Sequence, residues 1–86
     1  MIGNFATSKT GHDKDQLYVI VAEEGDFVYL CDGRLKPFNS PKKKRLKHIQ
    51  IINVAVEDEL KSRLTAGGVV RDEEIKYAIK KYIKKD

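Results

Sequence analysis

Residues that build cross-links and metal sites are scarce in this chain of 86 residues. Its single cysteine, Cys31, excludes a disulfide within one molecule, and no C-x-x-C pair is available for zinc. The two histidines, His12 and His48, lie far apart in the sequence with no cysteine near them. We therefore expect no metal and no cofactor. Cys31 is interpreted as a small apolar residue of a strand in a reducing cytoplasm, with a reactive thiol as the alternative.

Long apolar runs and catalytic motifs are also missing. No stretch approaches the roughly 18 apolar residues that cross a bilayer, and the opening residues MIGNFATSKTG lack the basic and apolar regions of a secretion signal. Ser8 and Ser40 lie outside a G-x-S-x-G sequence, and the phosphate-binding pattern G-x-x-x-x-G-K-[ST] does not occur. We therefore expect a cytoplasmic protein that is not an enzyme and does not associate with membranes.

The residues that are present predict a mainly β fold with C-terminal helices. Hydrophobic periodicity divides one structural domain into a strand-rich part, 1–54, and a helical part, 55–86. Asp32-Gly33 is typical of a two-residue hairpin turn, and Pro37 favours an edge position for the strand that would follow. Because short strands with tight turns otherwise leave exposed edges, the pattern predicts a small closed barrel. Its predicted strands are 4–9, 16–23, 27–31, 34–38 and 48–54.

Two helices are predicted after the strands. The longer one begins near Asp72, whose side chain is expected to cap it, and its apolar residues share one face. A shorter helix is expected over about 55–65 and would end at Gly67-Gly68. We expect the apolar stripe of the longer helix to pack on the barrel. That stripe consists of Ile75, Ala78, Ile79, Tyr82 and Ile83.

Positive charge is concentrated in the middle of the chain. Residues 34–48 contain seven Lys or Arg residues and no Asp or Glu, whereas residues 1–33 contain two lysines and six acids. A localised basic block is typical of a surface that binds a polyanion, and the density of this run favours that interpretation over a loop kept charged to prevent strand pairing. The candidate residues are Arg34, Lys36, Lys42, Lys43, Lys44, Arg45 and Lys47.

Aromatic residues accompany the predicted strands. On a barrel surface they would stack unpaired bases, whereas in the interior they would fill the core. We expect core positions for Phe5 and Phe27 and leave both possibilities open for Tyr29 and Phe38. The set under consideration is Phe5, Tyr18, Phe27, Tyr29 and Phe38.

Residues 4–33, NFATSKTGHDKDQLYVIVAEEGDFVYLCDG, resemble the KOW motif of ribosomal proteins and of NusG-type transcription factors. Ser8, Gly11, Asp13 and Lys14 match the S-x-x-G-x-D-K-G loop of that motif, and Asp15 stands where its second glycine is usual. The later segment KPFNSPKKKRLKHIQ resembles the basic segment of KOW-containing large-subunit ribosomal proteins of archaea and eukaryotes and of their small bacterial relatives.

This resemblance implies an SH3-like barrel of the translation-protein type that binds RNA, with ribosomal RNA as the expected partner. It further implies that the RNA would contact Lys9, Gly11 and Lys14 of the first loop and residues 42–48, which end at His48. The leading hypothesis is therefore a monomeric, non-catalytic RNA-binding protein of translation. A protein–protein module of the transcription or translation machinery is the alternative, and PKKKR also resembles a nuclear import signal.

Overall fold

The computed structural model describes residues 1–9 and 16–84, which form one five-stranded antiparallel sheet and two α-helices. The strands lie in the spatial order β4-β3-β2-β1-β5, and β4 and β5 form the two edges. The mainly β class with C-terminal helices is confirmed, whereas closure into a barrel is not confirmed, because the sheet is open. The elements are β1 Asn4–Ser8, β2 Leu17–Glu24, β3 Phe27–Cys31, β4 Lys42–Arg45, β5 Ile49–Ala55, α1 Asp58–Thr65 and α2 Asp72–Ile83.

The hairpin between β2 and β3 forms where β-branched and aromatic residues are interrupted by Gly25. Glu24 pairs with Phe27 across a two-residue turn, in which Gly25 has a φ of 58°. The pairing register shifts between Ile20 and Ala22, which marks a β-bulge that bends β2. The strands expected at 16–23 and 27–31 are thus confirmed, and the tight turn between them lies at Gly25-Asp26.

The strand expected at 34–38 is wrong, because Asp32 closes a loop there. Its Oδ1 atom accepts hydrogen bonds from the amides of Arg34 at 2.8 Å and Lys36 at 2.9 Å. The Asp32 amide in turn donates to the Lys36 carbonyl at 3.0 Å. An aspartate that binds the backbone two and four residues ahead stabilises a turn in place of a hairpin ladder. The chain therefore forms its fourth strand later, in the lysine run.

One face of the sheet is covered by both helices. The apolar residues of β1 and β2 on this face contact the buried side chains of α1 and α2, and the rings of Phe5 and Tyr82 stack with centroids 4.6 Å apart. Burial of so many aliphatic and aromatic side chains is the main stabilising contribution in a domain this small. We call this set the helix-side core: Phe5, Val19, Val21, Cys31, Val56, Leu60, Leu64, Val70 and Ile75.

The other face of the sheet curls around a second apolar cluster. Alternate residues of four strands point into it, which follows from the two-residue period of β-structure. Ile49 belongs to this cluster and Ile51 packs against it, while Gln50 between them is exposed. We call this set the inner cluster: Ala6, Tyr18, Ile20, Val28, Leu30 and Ile49.

The end of α1 matches the prediction from the sequence, whereas the start of α2 differs from it. The α1 helix ends as predicted, because Gly67 has a φ of 76° and the amides of Gly67 and Gly68 donate to the carbonyls of Leu64 and Arg63 at 3.2 and 2.8 Å. Asp72, expected to cap α2, is its first helical residue, and the carboxylate accepts the Phe38 amide at 2.7 Å. This bond ties the loop before β4 to the start of α2.

The two helices are also joined by charged groups. The guanidinium of Arg63 on α1 binds the carboxylates of Glu59 and Glu74, and Glu74 additionally accepts the Arg71 amide at 3.0 Å. Bonding to Arg63, followed by the amide of Arg71, lowers the pKa of Glu74 to about 2. At the opposite ends of the helices, Lys81 Nζ lies 3.6 Å from Glu57 Oε2. These contacts indicate that α1 and α2 run antiparallel.

The predicted apolar stripe of α2 is only partly buried. Ile75 is 0% exposed and Ala78, Ile79 and Tyr82 pack against the helix-side core, whereas Ile83 is 64% exposed. Ile83 therefore corrects the expectation that all five residues face the core. It directly follows Tyr82, whose ring stacks on Phe5, so the helix still covers the sheet here while the Ile83 side chain is exposed.

We expect Ile75→Ala to lower the free energy of unfolding by about 2–5 kcal/mol, because truncation leaves a cavity in the helix-side core. Ile83→Ala is the matched control on the same helix and should change stability by less than about 0.5 kcal/mol. Urea denaturation followed by circular dichroism measures both. Equal effects for the two variants would show that α2 does not pack as described.

Gly33 lies where α2 approaches the loop after β3 most closely. Its φ is 76°, and a Cβ atom at this position would lie 2.5 Å from the Asp72 carbonyl oxygen and 2.9 Å from Lys76 Cγ. Both the left-handed conformation and the lack of space therefore require glycine. Gly25 has a similar φ of 58°, but a Cβ atom there would meet nothing within 4 Å.

Alanine substitutions at these two glycines distinguish the cost of backbone strain from the cost of steric overlap. Gly25→Ala should cost about 1–3 kcal/mol from backbone strain alone. Gly33→Ala should cost clearly more, because the methyl group also pushes α2 away from the loop. Thermal unfolding of the two variants tests this order, and a Gly33→Ala melting temperature at or above that of Gly25→Ala would contradict the close approach.

Candidate functional site

The lysine run forms the edge strand β4. It pairs with β3 in antiparallel register, with Arg45 opposite Phe27, Lys44 opposite Val28, Lys43 opposite Tyr29 and Lys42 opposite Leu30. Since successive side chains of a strand point to opposite faces, the run divides into two pairs. Lys43 and Arg45 lie on one face, and Lys42 and Lys44 lie on the other. Neighbouring cations are thereby kept apart.

Lys43 and Arg45 lie over aromatic rings of β3. Lys43 Nζ is 4.5 Å from the centroid of the Phe27 ring and 6.0 Å from that of Tyr29, and Arg45 Cζ is 4.9 Å from the centroid of Phe27. These distances are typical of cation–π contacts. Phe27 was expected in the core, and the structure places it half-buried at the surface beneath two cations.

Acidic groups border this surface without neutralising it. Glu24 Oε1 accepts the Tyr29 hydroxyl at 2.7 Å, a bond that raises the pKa of Tyr29, and lies 3.9 Å from Lys43 Nζ. The Lys43–Glu24 pair is exposed on both sides, and an exposed pair at this separation contributes little. Within the described part of the chain, Arg45 and Lys47 form no ion pair.

The other pair of lysines extends over the inner cluster. Lys44 Nζ donates to the Ser8 hydroxyl at 2.7 Å, which connects β4 to β1 although two strands separate them in the sheet. The pKa of Lys42 lies below its ordinary value, because partial burial disfavours the ammonium form and Lys44 adds repulsion. Both lysines are half-buried, and the Ser8 side chain that Lys44 contacts is itself buried.

A single 3-10 turn, Leu46–His48, continues the basic surface from β4 to β5. The Leu46 amide donates to the Asp26 carbonyl at 2.8 Å, and the Lys9 amide donates to the His48 carbonyl at 2.9 Å. Lys9, which directly follows β1, is therefore adjacent to His48. Lys47 and Lys9 are both exposed.

The remaining predicted residues are not all brought to this surface. Arg34 and Lys36 belong to the loop that Asp32 closes, outside the basic strand. Gly11 and Lys14 lie outside the described residues. The structure thus gathers Lys9, Lys42, Lys43, Lys44, Arg45, Lys47 and His48 around β4 and the 3-10 turn.

The other aromatic candidates divide between core and surface. Phe5 and Tyr18 are 2% and 1% exposed, so they fill the interior. Phe38 packs against the helix-side core from the loop before β4, and Tyr29 does so from β3 while remaining half-buried. Phe27 and Tyr29 are consequently the two rings that accompany the basic strand.

Other kinds of site find little support in the described residues. Burial raises the pKa of the Cys31 thiol to about 11, so Cys31 remains protonated and unreactive near neutral pH, as its interpretation as a core residue predicted. Residues 1–9 and 16–84 contain no group of three His, Cys, Asp or Glu side chains placed to hold a metal ion. In the same residues, no helix has the length and apolar character to span a membrane.

The sequence reasoning missed two features of this surface. The first is that KKKR forms a strand, whose side chains alternate between two faces. A run of four cations lacks the apolar alternation that normally predicts a strand. The surface position of Phe27 follows from its pairing with Arg45, which no local pattern shows. No protein-family model matches the sequence, and no curated protein is significantly similar to it.

Proposed function

We propose that this protein binds RNA through the surface formed by β4, the 3-10 turn and the rings of Phe27 and Tyr29. The observation that carries the proposal is the geometry of the lysine run, which a folded strand fixes in place with Lys43 and Arg45 on one face. Because the cations form a rigid row, binding loses less conformational entropy in ordering their long side chains.

Charge supports a nucleic acid as the ligand. The phosphate backbone is a dense row of negative charges, and neutralising it with lysine and arginine releases condensed counterions. Residues 42–47 carry five such cations and no acid. The exposed members Lys43, Arg45 and Lys47 are available for phosphates, and Arg45 can form two hydrogen bonds with one phosphate.

The accompanying rings favour RNA with unpaired bases. A ring such as Phe27, half-buried and beneath Lys43 and Arg45, provides a stacking surface next to groups that bind the backbone. Unpaired bases of single-stranded segments and loops stack on aromatic and guanidinium planes, whereas paired bases of a duplex are inaccessible. RNA loops or single strands are therefore the proposed ligand.

We further propose that the open sheet is a variant of the SH3-like barrel. Support comes from β5, which returns to pair with β1, and from the 3-10 turn that joins the two edge strands. Lys44 of the edge strand β4 bridges to Ser8 of β1, the strand next to the other edge, so one side-chain contact crosses the gap. Together with the KOW resemblance, this favours a cytoplasmic protein that associates with ribosomal RNA and catalyses no reaction.

Charge reversal tests the proposed surface. We expect the variant Lys43→Glu/Arg45→Glu to bind a fragment of ribosomal RNA containing a loop at least tenfold more weakly than the wild type at low salt. The plot of log affinity against log salt should also flatten, because each lost phosphate contact removes about 0.7–0.9 from the slope. Fluorescence anisotropy of labelled RNA over a range of KCl concentrations measures both quantities.

Lys76→Glu/Lys80→Glu is the matched control, because it makes the same change in net charge on exposed positions of α2. It should retain nearly all of the wild-type affinity and slope. If both double variants bind alike, the net charge of the protein governs binding and β4 is not the site. If the wild type binds no RNA, a pull-down after nuclease treatment would test the alternative of a protein partner.

The role of Phe27 can be tested separately from charge. Phe27→Leu keeps an apolar side chain beneath Lys43 and Arg45 but removes the ring, so the fold should persist. We expect it to weaken binding to single-stranded RNA by about 1–3 kcal/mol and to leave the salt slope unchanged. An unchanged affinity, measured by the same anisotropy titration, would exclude base stacking on this ring.

A further inference from the structure

The surface of the helical layer contains a groove that the RNA-binding surface does not use. It has a volume of about 430 Å³ and lies between α1 and α2, with Phe5, Tyr82 and Leu60 among its lining residues. Tyr77 and Val54 also line it, and they are 64% and 37% exposed. An exposed aromatic beside an apolar groove is typical of an interaction surface.

Three residues of α2 form a ridge along this groove. Glu73, Tyr77 and Lys81 are spaced four residues apart, so they lie on one face of the helix, and all three line the groove. All three are exposed. The ridge is negative at one end, aromatic in the middle and positive at the other end. In the described residues, Glu73 forms no ion pair, and Lys81 is paired only with the exposed Glu57.

This order of groups is complementary to itself. If two copies of α2 cross antiparallel with a two-fold axis at Tyr77, Glu73 of each copy lies opposite Lys81 of the other. Each of these residues is about 6 Å along the helix axis from Tyr77, so both ends can make contact in one crossing. A two-fold interface requires such a self-complementary patch.

We propose that the protein forms a two-fold homodimer through this ridge, with Tyr77 of each copy packing against the apolar groove of the other. A second copy is the occupant because its ridge places the opposite charge against each end and an aromatic group against the middle. This replaces the expectation of a monomer that was based on the sequence alone.

The proposed interface leaves the basic strand free. The groove includes Val54 of the edge strand β5 and Phe5 of the neighbouring strand β1, whereas β4 forms the opposite edge. A dimer therefore presents two basic strands directed away from the two-fold axis. Dimer formation does not depend on RNA, so its test is independent of the proposed function.

The decisive experiment mixes two charge-reversed variants. Glu73→Lys gives a ridge with two positive ends and Lys81→Glu gives one with two negative ends, so each should remain a monomer of about 9.8 kDa in sedimentation equilibrium. An equimolar mixture should restore the dimer, because every end then meets the opposite charge. The wild type should double its mass as its concentration rises from micromolar to millimolar.

Two controls keep the test specific. Lys76→Glu makes the same charge change on α2 outside the groove and should dimerise like the wild type. Circular dichroism should show that all variants are folded, as expected for exposed positions. A wild type that stays at 9.8 kDa up to millimolar concentration, or a mixture that stays monomeric while the wild type dimerises, would overturn the proposal.

Discussion

The basic surface depends on the backbone pairing between β3 and β4. Without it, the consecutive cations of the lysine run would repel one another and favour an extended, mobile chain. Pairing with β3 turns alternate side chains to opposite faces, where they find different partners: the ring of Phe27 on one face and the hydroxyl of Ser8 on the other. The backbone hydrogen bonds between β3 and β4 thus offset the electrostatic repulsion among the cations of the lysine run. They also separate the cations into a pair that packs on aromatic rings and a pair that spans the inner cluster.

The helical layer holds this arrangement in place from the other side of the sheet. Cys31 and Tyr29 of β3 pack against the helix-side core, so the strand that carries β4 is supported by α1 and α2. The Arg63 guanidinium connects α1 to α2 through Glu59 and Glu74, and the Schellman turn at Gly67 directs the chain from one helix to the next. In a domain with little interior, the two layers stabilise each other, and neither core is large enough to be dispensable.

Local patterns predicted most of the fold, and the errors have physical causes. The strands around Tyr18, Val28 and Ile51 follow from their β-branched and aromatic residues, and α2 follows from its helical period. The prediction of a strand at 34–38 was wrong because Asp-Gly occurs both in hairpin turns and in loops closed by the aspartate side chain. Here the Asp32 carboxylate closes a loop by accepting backbone amides that only the folded chain brings near it. The same limit applies to the site. The cations were evident from composition, but their division between two faces depends on a pairing partner distant in sequence.

The hydrogen bond from the Phe38 amide to Asp72 couples local opening of the strand-rich part to local opening of the helical part. It joins the segment that leads into β4 to the first turn of α2, beside the close contact between Gly33 and Asp72. Local opening of α2 would release this segment and, with it, the anchored end of β4. The amides of β4 and of α2 should consequently exchange with deuterium as one cooperative unit. Any ligand that orders the basic strand would then slow exchange in the helix, at a distance from the place where it binds.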